Sequence, residues 1–235
     1  KVYRPLRVAY FSTGDEVLSL GDAVREGAVY DSNRYTVFGL LSRMGCQVID
    51  MGVVRDDPIL LEQAFQQAST NADVVITSGG VSVGEADFTK AMMKKLGDVA
   101  FWKIAMRPGR PMAVGRLGDC ILFGLPGNPV AVMVTFLAFV KPALLQMMGC
   151  SPNTTPYLRA KSAVALRKKP GRTEYQRGFV RTLPDGTLQV EAAGNQGSGV
   201  LRSMVEANGL IVLHHQQSSV AAGDEVDVMM FDGAI

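Results

Sequence analysis

The chain has 235 residues, 47% of them hydrophobic and 20% charged, with 24 basic against 22 acidic side chains for a net charge of +2. This composition supports a packed core rather than disorder, and the near-neutral balance excludes the broad basic field of a nucleic-acid binder. Cys46, Cys120 and Cys150 are widely spaced without a CxxC pair, and the two histidines, His214 and His215, are adjacent. The pattern excludes a disulfide framework and an imidazole-built zinc site, so the thiols are expected to be buried and any metal to be hard and oxygen-bound.

The chain opens Lys1-Val2-Tyr3-Arg4-Pro5, with a strand pattern almost at once, which is expected of an internal start with protein upstream. Residues 7–12 read as a buried strand. Asp31-Ser32-Asn33 is an N-cap cluster before a helix that Gly45 stops. Residues 46–54 form a second strand. Asp57-Pro58 then pairs an N-cap with proline at the first helical position, opening a helix to about residue 69. Residues 72–78 are a third strand, and residues 87–96 a helix ended by Gly97. Residues 101–111 hold two prolines and a glycine and read as a rigid loop. Residues 113–116 and 120–124 suggest a hairpin around Leu117-Gly118-Asp119, and residues 128–148 one long apolar helix. The most apolar stretch, residues 130–145, is interrupted by Lys141 and Pro142 and is short for a membrane span. Nothing resembles a signal peptide, so a cytoplasmic setting without a membrane partner is expected.

Strands alternating with helices of this length predict an α/β domain, three layers with a mostly parallel sheet. After Gly149 the texture changes. Residues 151–156 have linker composition, and alternating runs at 157–166, 175–182, 188–192, 209–213 and 225–231 predict a small all-β domain, a barrel. The expected division is 1–150 and 151–235.

Ligands of open α/β sheets bind beyond the carboxyl ends of the strands, so the loops there carry the candidate chemistry. They are Ser12-Thr13-Gly14-Asp15-Glu16, Arg55-Asp56-Asp57-Pro58, Ser78-Gly79-Gly80-Val81-Ser82-Val83-Gly84-Glu85-Ala86-Asp87 and Gly124-Leu125-Pro126-Gly127-Asn128-Pro129. Asp57 has a structural job as an N-cap, which leaves Asp56 as the more informative neighbour. Asp87 is either a cap or a ligand, and Glu16 either a solvated loop residue or a ligand. Carboxylates in three successive strand-end loops suit Mg²⁺ with open positions for water and phosphate. The glycine run, Gly79, Gly80 and Gly84 around Ser82, suits backbone approach to an anion. It is not a P-loop, since Glu85-Ala86 follow it, and no GxGxxG stands after the first strand. Gly80-Val81-Ser82-Val83-Gly84 also matches the GxSxG nucleophile elbow, which requires a positioned histidine that lies far off in this chain. Lys103, Arg107 and Arg110 supply the complementary charge for an oxyanion.

Taken together and in order, these four segments resemble molybdopterin molybdenumtransferase, the family of bacterial MoeA and the gephyrin E domain. The resemblance covers essentially the whole chain. It implies a MogA-like α/β/α molybdopterin-binding domain followed by a C-terminal β-barrel. The activity it implies is placement of molybdate on adenylated molybdopterin, with Mg²⁺-dependent release of AMP. By the resemblance Glu16, Asp56 and Asp87 are the catalytic and metal-binding acidic set. Lys103, Arg107 and Arg110 fall at basic positions, relatives often having lysine at the latter two. Pro126, Asn128 and Pro129 fall in the loop lining the molybdate site. Arg177 and Ser198 match positions in the β domain. It also implies N-terminal domains that this sequence lacks, a homodimer, and a MogA-type adenylyltransferase as partner. The competing readings are that adenylyltransferase itself and a gephyrin-like peptide-binding scaffold.

Overall fold

The computed structural model describes residues 2–81, 88–151 and 156–231. In chain order the first part contains β1 Arg7–Thr13, β2 Val17–Leu18, β3 Val29–Tyr30, α1 Ser32–Arg43, β4 Gln47–Val54, α2 Pro58–Asn71, β5 Val74–Ser78 and α3 Phe88–Leu96. It continues with β6 Asp98–Lys103, β7 Met106–Arg107, β8 Pro111–Leu117, β9 Cys120–Leu125, α4 Pro129–Thr135 and α5 Lys141–Met147, the last two joined by a π-helical turn, Phe136–Val140. The second part contains β10 Leu158–Ser162, β11 Thr173–Thr182, β12 Leu188–Ala192, α6 Arg202–Val205, β13 Gly209–Leu213 and β14 Glu225–Met230.

A six-stranded sheet runs in the order β4-β1-β5-β9-β8-β6. Its first four strands are parallel, and β8 and β6 are antiparallel additions. Alternate side chains of a strand face opposite ways, and β1 divides accordingly. Val8 and Tyr10 pack with Val37 and Leu41 of α1 and with Val140 and Leu144 of the long helix. Ala9 and Phe11 pack with Ala64 and Phe65 of α2 and Met93 of α3. Phe11 meets Phe65 edge-on, 5.1 Å between ring centroids. A strand covered on both faces carries no polar alternation, which is why β1 reads as a continuous apolar run. Asp31 and Asp57 cap α1 and α2 as expected, the Asp57 carboxylate accepting from the Ile59 and Leu60 N–H groups at 2.9 and 3.0 Å.

Three expectations are corrected. Residues 101–111 are not simply a loop: β6 forms an edge of the sheet against β8, and β7 follows two residues later. Proline is tolerated where β8 begins, because Pro111 needs no N–H there. The apolar helix, Pro129–Met147, is long and apolar enough by composition to cross a membrane. Here it is a core helix, with Val130, Val134, Phe136, Val140 and Leu144 fully buried. Its widened turn sits just before Pro142, whose ring and missing N–H disrupt the ordinary i to i−4 ladder. Finally, only Cys120 of the three thiols is buried; Cys46 is half-buried and Cys150 exposed.

The second sheet closes because β12 pairs both with β10 and with β11, giving a barrel filled by Val180, Val190, Ile211, Leu213, Val226 and Val228. The β13 alternation joins the two parts. Ile211 and Leu213 point into the barrel, while Leu210 and Val212 belong to the apolar cluster of the α/β sheet. In addition, β7 pairs in parallel with β11 at Thr173 and Glu174.

At the start of β5 the Asp73 carboxylate accepts from both terminal nitrogens of Arg4 at 2.6 Å and from the Arg7 backbone N–H at 2.8 Å. Arg4 holds its carboxyl far below the usual carboxylate range. A carboxyl depressed in the folded state contributes stability above its unfolded pKa and loses it as the pH falls. Asp73→Asn is therefore expected to melt below the wild type at pH 7, with the gap narrowing progressively as the pH falls below about 4 and closing only in strong acid. A gap in melting temperature that persists unchanged in acid would contradict this role.

Candidate functional site

The parallel strands β1, β4, β5 and β9 bring their carboxyl ends to one edge of the sheet, and the loops leaving them enclose a cleft of about 750 Å³. Of the residues expected from sequence, Glu16, Asp56, Gly79, Gly80, Asn128 and Pro129 line it. Glu16 is exposed and Asp56 half-buried, and the Asp56 N–H donates to the Asp15 carboxylate at 3.2 Å. The floor is a triangle of hydroxyls. Tyr10 Oη lies 2.7 Å from Ser78 Oγ and 2.9 Å from Ser12 Oγ, with the two serines 3.1 Å apart. Burial raises the Tyr10 pKa far above its ordinary value, so this hydroxyl stays a neutral hydrogen-bonding group.

The glycines of this cleft are required by geometry. Gly79 has φ +92°, and a Cβ there would lie 2.5 Å from the Thr13 carbonyl oxygen. Gly80 has φ +63° and would press a Cβ into the Thr89 side chain. Both values fall where only glycine is at ease. The turn therefore stays narrow and leaves its backbone open to the cleft. Ser82, Gly84 and Asp87 fall outside the described residues, although Phe88, next in sequence, lines the cleft.

A second cleft of about 800 Å³ collects Arg107, Arg110, Pro126, Asn128, Arg177 and Ser198, with Arg167 on its wall. The two clefts share Gly127 and Asn128. The residues expected to form one rim thus form two adjoining basins, one lined by carboxylates and one by guanidinium groups. Lys103 lies at the exposed end of β6, opposite Pro111, and lines neither.

Arg177 is 1% exposed and has structural work in the barrel. Its Nε donates to Ser203 Oγ at 3.1 Å, and its Nη2 donates to the Asn195 and Gly197 carbonyls at 3.0 and 3.1 Å. Burial first, and the nearby Arg107 second, lower its pKa. The loop it grips carries Ser198, whose carbonyl accepts from Val130 N–H at 3.1 Å and whose hydroxyl lies 3.2 Å from Asn128 Nδ2. A loop of the barrel thereby satisfies one of the unpaired N–H groups at the start of α4, and the Asn128 side chain makes no cap of its own.

Sequence reading missed Asp31 and Asn33 as cleft residues and named Thr13 only as part of the first strand-end loop. They line the first cleft, and each holds a buried oxygen without a hydrogen-bond partner: Thr13 Oγ1, Asp31 Oδ2 and Asn33 Oδ1. Asp31 and Asn33 were legible only as an N-cap cluster, a role that uses one carboxylate oxygen and says nothing of the other. The histidines line neither cleft, and His214 Nε2 is 2.6 Å from Asp227 in the barrel, so the nucleophile-elbow reading lacks its base among the described residues.

Among the described residues no group of three or more His, Cys, Asp or Glu side chains forms a metal-holding cluster. The donor chemistry of the first cleft nevertheless fits magnesium. Glu16 and Asp56 are hard oxygen ligands on an open wall, and Mg²⁺ commonly takes one or two carboxylates and completes its shell with water and substrate phosphate.

A parallel sheet flanked by helices, with a glycine-walled cleft at its carboxyl edge, defines a three-layer α/β domain, and residues 9–146 match the family described as "Probable molybdopterin binding domain". Residues 159–231 match "MoeA C-terminal region (domain IV)". The chain belongs to the MoeA family. It is 44% identical to molybdopterin molybdenumtransferase of Haemophilus influenzae over 99% of its own length and 58% of that protein. It is 37% identical to the protein of the same name in Nostoc sp., over 97% of its length and 54% of the relative. Among solved structures, the molybdopterin biosynthesis MoeA protein of Pyrococcus horikosii superposes with a TM-score of 0.81 at 29% identity, covering 97% of this chain and 55% of that one. The chain spans about half the length of the curated relatives it matches.

Proposed function

We propose that the chain places molybdate on molybdopterin, with adenylated molybdopterin and molybdate as substrates and AMP as the leaving product. The observation that carries this reading is the meeting of a carboxylate-lined cleft and a guanidinium-lined cleft at Gly127 and Asn128. One reactant carries a pyrophosphate, which a carboxylate-held Mg²⁺ would bridge, and the other is an oxyanion, which guanidinium groups bind directly, so the two basins suit them. The Gly79–Gly80 turn presents backbone to the phosphates, and Ser82 and Gly84, which follow it in sequence, are assigned to the same substrate. Glu16, Asp56 and Asp87 hold Mg²⁺ against the pyrophosphate; bound there, the ion neutralises phosphate charge. Arg107 and Arg110 hold molybdate, with Pro126, Asn128 and Ser198 shaping its basin, Pro129 lying on the first-cleft side of the partition and Lys103 adding charge at the margin. Arg177 keeps the Ser198 loop in place. The reading divides the chain at 150/151 and places it in the cytoplasm as part of a homodimer, supplied with substrate by a MogA-type adenylyltransferase.

The test is AMP release from adenylated molybdopterin with Mg²⁺, with and without molybdate. Molybdate-dependent release is expected from the wild type. Asp56→Asn and Asp87→Asn are each expected to slow it about 10²-fold while pterin binding survives. Equal loss of release and of binding would remove these carboxylates from the metal role, and release indifferent to molybdate would end the transferase reading.

A further inference from the structure

The unpartnered oxygens of the first cleft form a pattern. Asp31 is 5% exposed and Thr13 4%. Asp31 Oδ1 accepts from the Arg34 N–H at 3.0 Å at the start of α1, which leaves Oδ2 without a donor. Asn33 donates through Nδ2 to the Gly127 carbonyl at 2.7 Å, which fixes the amide so that Oδ1 is its free acceptor. Thr13 Oγ1 completes the set. Buried polar groups in native proteins are ordinarily paired, and three on residues of one cleft leave acceptors that the donors of water or of a ligand would satisfy. The cleft also offers apolar surface for a planar ring: Val17, Val29, Tyr30 and Phe88 line it, with Tyr30 and Phe88 both exposed.

Adenylated molybdopterin has two ring systems, and their edges differ. The pterin presents two adjacent donors, its 2-amino group and N3–H. Adenine presents a donor, its 6-amino group, beside the N1 lone pair. A carboxylate oxygen and an amide oxygen in one wall match two donors and repel a lone pair. We propose that Asp31 and Asn33, with Thr13, recognise the donor edge of the pterin ring, so that this basin seats the pterin and excludes adenine; the assignment rests on the molybdopterin reading above. The role is one of substrate specificity and leaves the acidic set its own task.

Asp31→Asn is the diagnostic variant, because asparagine caps a helix as well as aspartate does. With its Oδ1 kept on the Arg34 N–H, the new amide turns a donor toward the ligand's donors. Pterin itself (2-amino-4-oxopteridine), titrated into the full chain by its own fluorescence, is expected to bind about tenfold or more weakly to Asp31→Asn than to the wild type. AMP, titrated by calorimetry, should bind both equally. Lumazine, which carries a 2-oxo acceptor in place of the 2-amino donor, should bind the wild type weakly and gain affinity in the variant, whose amide can donate to that oxygen. Thr13→Val, near-isosteric, provides a second variant with a smaller loss of pterin affinity should the first fold poorly. Unchanged pterin affinity in these variants overturns the proposal. So does a wild type that binds no pterin, equal loss of AMP, or a changed Mg²⁺ requirement without a change in pterin affinity. A chain that binds pterin through Asp31 but releases no AMP sinks the transferase reading alone; one that releases AMP with Asp31→Asn equal to wild type sinks only this site.

Discussion

Gly79→Ala should cost about 2–4 kcal/mol and lower the melting temperature by about 5–15 °C. Two effects add. The backbone at Gly79 stands at φ +92°, where a side chain is strained whatever space it has. The new Cβ would also meet the Thr13 carbonyl oxygen at 2.5 Å, and that oxygen belongs to β1, which is held by β4 on one side and β5 on the other. A flexible side chain could swing away, whereas a strand at the centre of a sheet cannot. Gly127→Ala is the matched control. It lies in the same cleft, has no left-handed φ, and its Cβ would find nothing nearer than the Gly79 Cα at 4.0 Å. It should melt within a degree or two of the wild type. Thermal melts of the two variants decide the matter: equal, small shifts would mean that the Gly79 turn relaxes freely and is not the rigid cradle described above.

Arg177→Ala carries the second large effect, about 3–5 kcal/mol. Truncation leaves the Asn195 carbonyl without its donor, takes one of two donors from the Gly197 carbonyl, removes the donor to Ser203 Oγ, which keeps its own bond to the Val200 carbonyl, and opens a cavity where a 1%-exposed side chain had been. The damage should travel. The 195–198 loop ends on Ser198, which meets Asn128 and the first turn of α4, so losing its grip loosens the partition between the two clefts. A guanidinium that only touched substrate would behave differently, with binding lost and stability unchanged. Urea denaturation beside molybdate-dependent AMP release separates the cases, because the positioning role requires both to fall. Arg177→Lys should recover little of either, since an ammonium lacks the planar fork that spans two carbonyls and a hydroxyl.

Local pattern carried most of the fold. The caps at Asp31 and Asp57, the stops at Gly45 and Gly149, and the apolar runs of β1, β4, β5 and β9 each depend on neighbours within a few residues, and their signals survive in one dimension. The edge strand β6 did not, because an edge needs only a partner on one side and tolerates the mixed composition of Asp98–Lys103. Nor did β7, two residues long, whose strand character exists only because β11 lies beside it. The wide turn before Pro142 was hidden for the opposite reason: an apolar stretch looks the same whether its hydrogen bonds run to i−4 or i−5.

By itself the sequence determined the order of the four parallel strands and the helices between them, the glycine turn and the strand-end carboxylates, because covalent neighbours and backbone sterics dictate these. Only the tertiary structure decided that the carboxylates and the arginines occupy two basins rather than one, for that depends on a barrel loop, 195–198, closing against a helix some 70 positions earlier in the chain, as Asn128 and Ser198 do. It also decided which polar atoms remain unpaired. A hydrogen bond is satisfied or lost by groups distant in sequence, so the free oxygens of Asp31, Asn33 and Thr13 appear only once every nearby donor has been placed.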